Sequence, residues 1–477
     1  MPPPRADYRY YAWVLDALTR HGARPTSATS PELVHDFVSD LYRYELRRLR
    51  DALLAGAFPK AEYYGRVVAL RGRYPLLSLK PRQWLDGYDE TVRVLESKLP
   101  SSAVSIFEVM SRLARERQAI NLSQGFPDFG TSPALVESVA HYMREGFNQY
   151  PPMPGVVALR QALAMKIERL YGRRYDPDTE IGITTGATEG LYATLTALVH
   201  PGDEVVLFQP AYDSYTPAIQ LSGGIPRYVT LRYPDYRIDW DEVRRTVTAR
   251  TRVIVLNTPH NPTGMVWDAG DMRELAAVLE HTDAIVVSDE VYEHVRFDGV
   301  RHESLARYPE IAARAVVISS FGKTYHATGW KVGYCAAPAP LIAEMLRVRQ
   351  WITFAVNGAV QMAYADAVNA NPVCDDVTEF YQGRRDLFLR LIEGSRFRPL
   401  ACRGTYFQML DYSAITNEGD ADFAMRLVSE HGVAAIPISP FLQPGEPSGP
   451  VLRFCFAKKD DTLERCLLYT SPSPRDS

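Results

Sequence analysis

Ala315-Val316-Val317-Ile318-Ser319-Ser320-Phe321-Gly322-Lys323-Thr324-Tyr325 is a β-rich run that stops abruptly at two serines, a glycine and a lysine. Its apolar residues show no polar alternation, which reads as a strand buried on both faces. Similar short runs recur at 204–208, 252–257, 284–288 and 332–336, and helical periodicity marks 156–171 and 269–281 between them. Strands alternating with helices predict an α/β fold with a mostly parallel sheet covered on both sides. In such a sheet, functional side chains belong at strand carboxyl ends and helix amino ends. After about residue 341 the pattern becomes one long helix, then a smaller α+β segment to about 463.

The composition is globular: 477 residues, 46% hydrophobic, 23% charged, formal net charge −4. That excludes a disordered, collagen-like or coiled-coil chain and a polycation built around nucleic acid. No uninterrupted apolar stretch approaches the ~18 residues of a membrane span, so no membrane partner is expected. Five cysteines lie far apart, at 335, 374, 402, 455 and 466. So sparse and odd a set fits a reducing cytoplasm rather than a disulfide scaffold. The opening Met1-Pro2-Pro3-Pro4-Arg5-Ala6-Asp7 has no apolar core, so a signal peptide is not expected.

The first 85 residues stand apart, with 14 Lys and Arg against 8 Asp and Glu, which leaves the remainder near −10. A short helix over 8–18, a longer one opened by Pro31 and ending near Gly56, and a third from Pro59 predict a small all-helical domain. A linker is expected at 85–92. The last stretch, 469–477, holds two prolines and three serines and cannot complete an amphipathic helix. Residues 466–477 are read as a disordered or non-native tail.

Four segments carry chemistry together. Lys323, just past a strand end, can form a Schiff base with an aldehyde cofactor; alone it would read as a solvated lysine. In Val286-Val287-Ser288-Asp289-Glu290-Val291-Tyr292 an acid closes an apolar strand. Asp289 can keep a pyridine nitrogen protonated, and Tyr292 can donate to a ring oxygen; Asp289 serves equally well as a helix N-cap. Asn257-Thr258-Pro259-His260-Asn261-Pro262-Thr263-Gly264 makes a rigid turn presenting Asn261, or a plain structural turn. His260 is read as positional or surface, without a proton-transfer role. Thr184-Thr185-Gly186-Ala187-Thr188-Glu189 is a strand, a small-residue turn and a helix start, suited to a phosphate or to simple capping. No GxGxxG and no glycine-loop Lys-Ser/Thr pair supports a nucleotide site.

This combination resembles the fold-type I, pyridoxal-phosphate-dependent aminotransferases of class I/II, most of all the bacterial methionine aminotransferases and the kynurenine aminotransferase group. The resemblance spans about 92–463. It rests also on Asn121-Leu122-Ser123-Gln124-Gly125-Phe126-Pro127-Asp128-Phe129, Asn148-Gln149-Tyr150, Gly329-Trp330-Lys331-Val332-Gly333-Tyr334 and Arg453-Phe454-Cys455-Phe456-Ala457-Lys458. It implies Lys323 as the Schiff-base lysine, Asp289 on the pyridine nitrogen, and Asn261 and Tyr292 on the ring oxygen. Gly186, Ala187, Thr188, Ser320 and Lys331 would hold the phosphate; relatives often carry arginine in place of Lys331. Tyr212 would stack on the ring. Tyr150 would reach the cofactor of a second subunit, which implies a homodimer with shared sites. Arg453 would clamp the substrate carboxylate, with Asn261, Gly125 and Phe126 at the substrate mouth. No metal is implied.

The implied activity is ping-pong transamination from methionine or another large neutral or aromatic L-amino acid to a 2-oxo acid. C–S β-elimination on cysteine conjugates or cystathionine is the alternative within the same chemistry. The implied organisation is a helical domain at 1–90, an arm at 91–135, a large cofactor domain at 136–345 and a small domain at 346–465. Residues 41–59 faintly resemble the first helix of a GntR-type winged helix, as in DNA-binding regulators with an aminotransferase-like sensor domain. No Ser-Arg pair opens a recognition helix and no wing hairpin follows, so a helical cap is expected and a nucleic-acid partner is not.

Overall fold

The structure is a computed structural model that describes residues 8–86, 98–99 and 105–470. The chain divides into two compact units, Met1–Lys98 and Leu99–Ser477. Most of the linker expected at 85–92 lies outside the described residues, as does the tail from 471 onward. The part of that tail that is described continues a helix, Asp460–Thr470.

Three helices, Ala12–Thr19, Pro31–Leu54 and Tyr63–Gly72, carry the first unit. Pro31 occupies the first helical turn, and Ser30 Oγ accepts from Leu33 N at 3.3 Å, which starts the long helix cleanly. The first helix begins at Ala12 rather than Tyr8. Tyr10 bridges Leu85, and Tyr11 N donates to Trp84 O at 2.9 Å, so the backbone there is already committed. Val14, Leu18, Val38, Leu70 and Trp84 are central to a separate core. Among the described residues of this unit there is no β-hairpin.

The second unit is built on a seven-stranded sheet: β1 Ile181–Thr184, β2 Glu204–Gln209, β3 Ile225–Thr230, β4 Thr251–Asn257, β5 Ile285–Asp289, β6 Ala315–Ser320 and β7 Gly333–Ala336. Their order is β1-β7-β6-β5-β4-β2-β3. β2 to β6 pair in parallel, and β7 runs antiparallel to both β6 and β1. Val253 to Leu256 and Val316 to Ile318 are buried throughout, as helix cover on both faces requires. β3 is one of the two edge strands; Pro226 and Arg227 interrupt its apolar pattern, and its first four residues are exposed or half-buried.

The long helix expected after 341 is three helices, Ala339–Arg349, Gly358–Ala370 and Asp375–Ile392. Phe354 (φ +60°) and Cys374 (φ +53°) adopt left-handed backbone that a continuous helix does not accommodate. A four-stranded antiparallel sheet follows, in the order Ile436–Pro437, Val451–Cys455, Phe407–Asp411, Arg398–Pro399. Among the described residues no helix is long and apolar enough to cross a membrane.

Register sets up the site. Asn257, ending β4, pairs with Asp289, ending β5; Asp289 pairs with Ile318, two residues before β6 ends. Because β7 is antiparallel, its first residue, Gly333, pairs with the last residues of β6 and β1, Ser320 and Thr184. The 331–333 segment therefore arrives at the same sheet edge as the carboxyl ends. A Cβ at Gly333 would lie 2.7 Å from Ser319 O and 2.8 Å from Ala187 N and Gly186 C, all of them backbone atoms. Gly333→Ala should lower stability by about 1–3 kcal/mol, the range for overpacking. Urea unfolding would read this as an earlier midpoint at unchanged slope; an unmoved midpoint would mean that the edge yields freely.

Candidate active site

A cavity of about 350 Å³ opens along that edge. Lys323 sits in a single helical turn, Phe321–Thr324, directly after β6. Its Nζ makes one long contact, 3.4 Å to Gly125 O, and lies 5.7 Å from the ring centres of Tyr292 and Tyr406. Asp289 Oδ2 accepts from Tyr215 OH at 2.7 Å, and Oδ1 from Val291 N at 3.4 Å. Asn257 Nδ2 donates to Asp289 O at 2.8 Å, and its Oδ1 accepts from Asn261 N at 2.7 Å. One amide thus ties the 257–264 turn to the end of β5.

Arg453, from the strand Val451–Cys455, is fully buried. Its Nη1 donates to Asn261 Oδ1 at 2.7 Å and its Nη2 to Ser123 O at 2.9 Å, while Nε has no hydrogen-bond partner. The guanidinium lies 3.8 Å from the Phe407 ring centre and 5.1 Å from that of Phe107. With Oδ1 occupied, the Asn261 amide keeps its N–H groups for another acceptor.

On the opposite wall, Gly186 (φ +71°) opens the helix Gly186–Leu198, and Thr184 Oγ1 donates to Gly186 O at 2.9 Å. The first N–H groups of a helix are natural anion donors. Lys331, itself left-handed (φ +53°), is so close that a Cβ on Gly186 would lie 3.4 Å from its Nζ. The Glu189 carboxylate accepts from Thr185 N and also from Arg349 Nε at 3.3 Å, which fixes the turn from behind.

Burial dominates the electrostatics. It brings Lys323 down to about 8, partly offset by Cys455 and Asp289. It pushes Asp289 up to about 6, against the pull of Tyr215, Val291 and Lys323. It lowers Arg453 to about 10 and raises Tyr212 to about 12. Tyr292 is raised as well, again by burial. An amine that loses its proton easily and a carboxylate reluctant to ionise alone are groups prepared for a reacting partner.

The model of aminotransferase class I and II matches residues 117–467. The chain belongs to this family. Escherichia coli methionine aminotransferase is 50% identical over 369 residues, which is 77% of this aminotransferase and 95% of that one. A crystal structure of an Escherichia coli protein with methionine aminotransferase function aligns with a TM-score of 0.77 at 49% identity, covering 79% and 99% of the two chains. The Mycobacterium tuberculosis N-succinyldiaminopimelate aminotransferase structure aligns at 0.76 with 37% identity and the same coverage. A Dictyostelium discoideum kynurenine–oxoglutarate transaminase is 34% identical over 400 residues, 76% of this chain and 92% of its own.

In this aminotransferase, Lys323, Asp289, Tyr292, Asn261, Gly186, Ala187, Thr188, Tyr212, Ser320, Lys331, Gly125 and Arg453 all line the one cavity. Two residues named from sequence do not. Tyr150 is 83% exposed, its ring 5.7 Å from that of Phe354. Phe126 turns its ring to Lys458 Nζ at 4.9 Å, while its carbonyl accepts from the same ammonium at 2.7 Å. His260 is buried against Thr263 Oγ1 at 2.8 Å, and burial lowers it to about 3, so it is a neutral part of the turn and not a surface residue. Phe107, Gln124, Asn257 and Phe407 also line the cavity, and Tyr215 supports Asp289. For Tyr215 the one local signal is its place three residues after Tyr212.

Asp289 gives a pH test. Its folded value of about 6 exceeds the ordinary 3.8, so ionising it opposes folding. Its contribution is complete below about pH 4 and is lost as pH rises through about 6. Without bound ligand, Asp289→Asn should therefore be more stable than the parent at pH 8. The gain is up to about 3 kcal/mol, at about 1.4 kcal/mol per tenfold change in proton affinity. Thermal melts near pH 4 should show no gain; equal melts at pH 8 would contradict the assignment.

Proposed function

We propose that the enzyme is a pyridoxal-phosphate-dependent transaminase that moves an amino group from methionine or another large neutral or aromatic L-amino acid to a 2-oxo acid. The observation that carries this reading is the convergence of Lys323 and Asp289, at neighbouring strand ends, with the Arg453 fork on one cavity. The residues fit the cofactor. A protonated pyridine calls for a buried carboxylate, Asp289. An aldehyde calls for an amine that gives up its proton more readily than an ordinary lysine, Lys323. A phosphate calls for helix-start N–H groups and cations, supplied by Gly186, Ala187, Thr188, Ser320 and Lys331. Asn261 and Tyr292 would hold the ring oxygen, and Tyr212 would stack on the ring.

Pyridoxal phosphate supplies an electron sink for charge that develops at the substrate's Cα. Arg453 grips the α-carboxylate bidentately and orients the Cα–H bond. Lys323 would hold the cofactor's aldehyde and, once free of it, would be the base placed to take the proton from Cα. With a 2-oxo acid the same lysine returns a proton to Cα, so two half-reactions share one site and the kinetics are ping-pong. Lys323 and Lys331 would serve the cofactor, which leaves Arg453 as the cation that the described residues of this chain place on the cavity wall for substrate. A single carboxylate clamp beside Phe107 and Phe407 suits a neutral side chain better than a second carboxylate.

The enzyme acts as a homodimer in this reading. Tyr150 and Phe354 lie near exposed Trp351 and Ile352, a patch that suits a second copy carrying Tyr150 to the other site. Cys335, Cys374, Cys402 and Cys455 are free buried thiols, in keeping with a cytoplasmic enzyme.

Borohydride reduction of the holoenzyme, followed by peptide mapping, should place the label on Lys323; a label elsewhere, or none, overturns the reading. Steady-state assays should rank methionine or an aromatic donor above aspartate. Faster pyruvate release from cystathionine than any transamination would favour the lyase. Arg453→Lys should keep cofactor binding and reduce kcat/KM by the equivalent of about 1.5–3 kcal/mol, the worth of a charge-assisted contact.

A further inference from the structure

Behind the cavity, and not lining it, Glu293 is the hub of a buried polar cluster. It follows Tyr292 directly and is 3% exposed. Its Oε1 accepts from Lys166 Nζ at 2.5 Å, Ser319 Oγ at 3.1 Å and Tyr334 OH at 3.2 Å, and its Oε2 from Tyr171 OH at 2.7 Å. His294 Nε2 stands 3.6 Å away. The donors come from three places: Lys166 and Tyr171 from the helix Val157–Tyr171, Ser319 from the end of β6, and Tyr334 from β7. Burial alone would raise the Glu293 carboxyl, but Lys166, with His294 and Tyr171, holds it well below the usual carboxylate range.

We propose that Glu293 is a positioning residue: its carboxylate locks Tyr292 and the 319–323 turn in one register and so sets how tightly ring oxygen and phosphate are held. Sequence adjacency makes the lever short. Tyr292 precedes Glu293, and Ser319 precedes Ser320 and stands four residues from Lys323. Ser319 and Tyr334 are register partners across β6 and β7, so one carboxylate oxygen bridges both strands at the edge where Gly333 closes on Gly186. A buried ion pair is weak evidence for stability, since an apolar pair often serves as well. What it adds here is four directional bonds, which an apolar pair cannot make.

The inference rests on the pyridoxal-phosphate reading. Its test separates the two, because parent enzyme that binds no pyridoxal phosphate refutes that reading alone. Three variants are compared with the parent: Ser319→Ala, Glu293→Gln and the double variant Lys166→Met with Glu293→Gln. Cofactor affinity is measured by fluorescence quenching, stability by thermal melts, and amide exchange over 291–295 and 319–323 in cofactor-free protein. Glu293→Gln should melt early, because it leaves Lys166 charged and unpaired. The double variant should recover the melt. Both should bind pyridoxal phosphate about tenfold more weakly, the low end of the loss when an outer partner is removed. Ser319→Ala should bind more weakly at a nearly unchanged melt, and in all three variants exchange should quicken in both segments. Affinity that recovers together with stability in the double variant, or that stays within about twofold of the parent throughout, overturns the proposal.

Discussion

Parallel pairing of β4, β5 and β6 is the constraint from which the rest of the site follows. A parallel ladder runs all its strands the same way, so their carboxyl ends finish side by side. Side chains just past those ends have left the sheet's cover and its hydrogen-bond ladder together. Lys323 is such a residue, and Asn257, Asp289 and Ser320 are the last paired residues of their strands; the four come from three separate chain passages. The antiparallel β7 completes the arrangement by delivering its amino end, and Lys331 just before it, to the same edge. A parallel β7 would have carried Lys331 to the far side of the sheet.

Bringing those groups together costs desolvation. Lys323, Asp289 and Arg453 are shifted from their ordinary values chiefly by burial, each toward its neutral form. The attraction between Lys323 and Asp289 is only a partial offset, Arg453 opposes the charge on Lys323, and an Asp289 carboxylate with one tyrosine and one N–H is under-supplied with partners. The polypeptide tolerates this through bonds made elsewhere. Asn257 spans two strand ends, Glu189 and Arg349 brace the 184–188 turn, and Glu293, next to Tyr292 in the chain, gathers four donors. These desolvated groups are mounted on backbone tied together by such bonds, which is what a preorganised site requires.

Legibility follows the range of the interaction. Lys323, Asp289, Asn261 and the 184–188 turn are legible in sequence because each directly follows a β-run, a signal confined to a few residues. Gly333 and Lys331 come from a motif resemblance; the chain alone does not say that β7 is antiparallel, since a short apolar strand looks the same in either direction. Tyr215 to Asp289 spans 74 positions, and Tyr406 to Gly125 spans 281. No periodicity encodes such pairs. The β3 edge strand escapes for a different reason: exposed on one side, it is spared the continuous apolar run that reveals its neighbours.

Arg453 shows how an apolar setting can serve a polar task. Phe107 and Phe407 sit against the guanidinium, so its charge meets ring faces instead of water. Two of its nitrogens are pinned, one by the Asn261 amide and the other by a main-chain carbonyl. Neither acceptor is a carboxylate, so the positive charge is held in place without being neutralised. A competing Asp or Glu at either position would quench the charge that, in the proposed reading, an incoming carboxylate would find. The same Asn261 that orients the fork lines the cavity, as does Tyr292. In the proposed reading substrate grip and ring-oxygen contact would share one amide, and the geometry of one half of the site would be set by the geometry of the other.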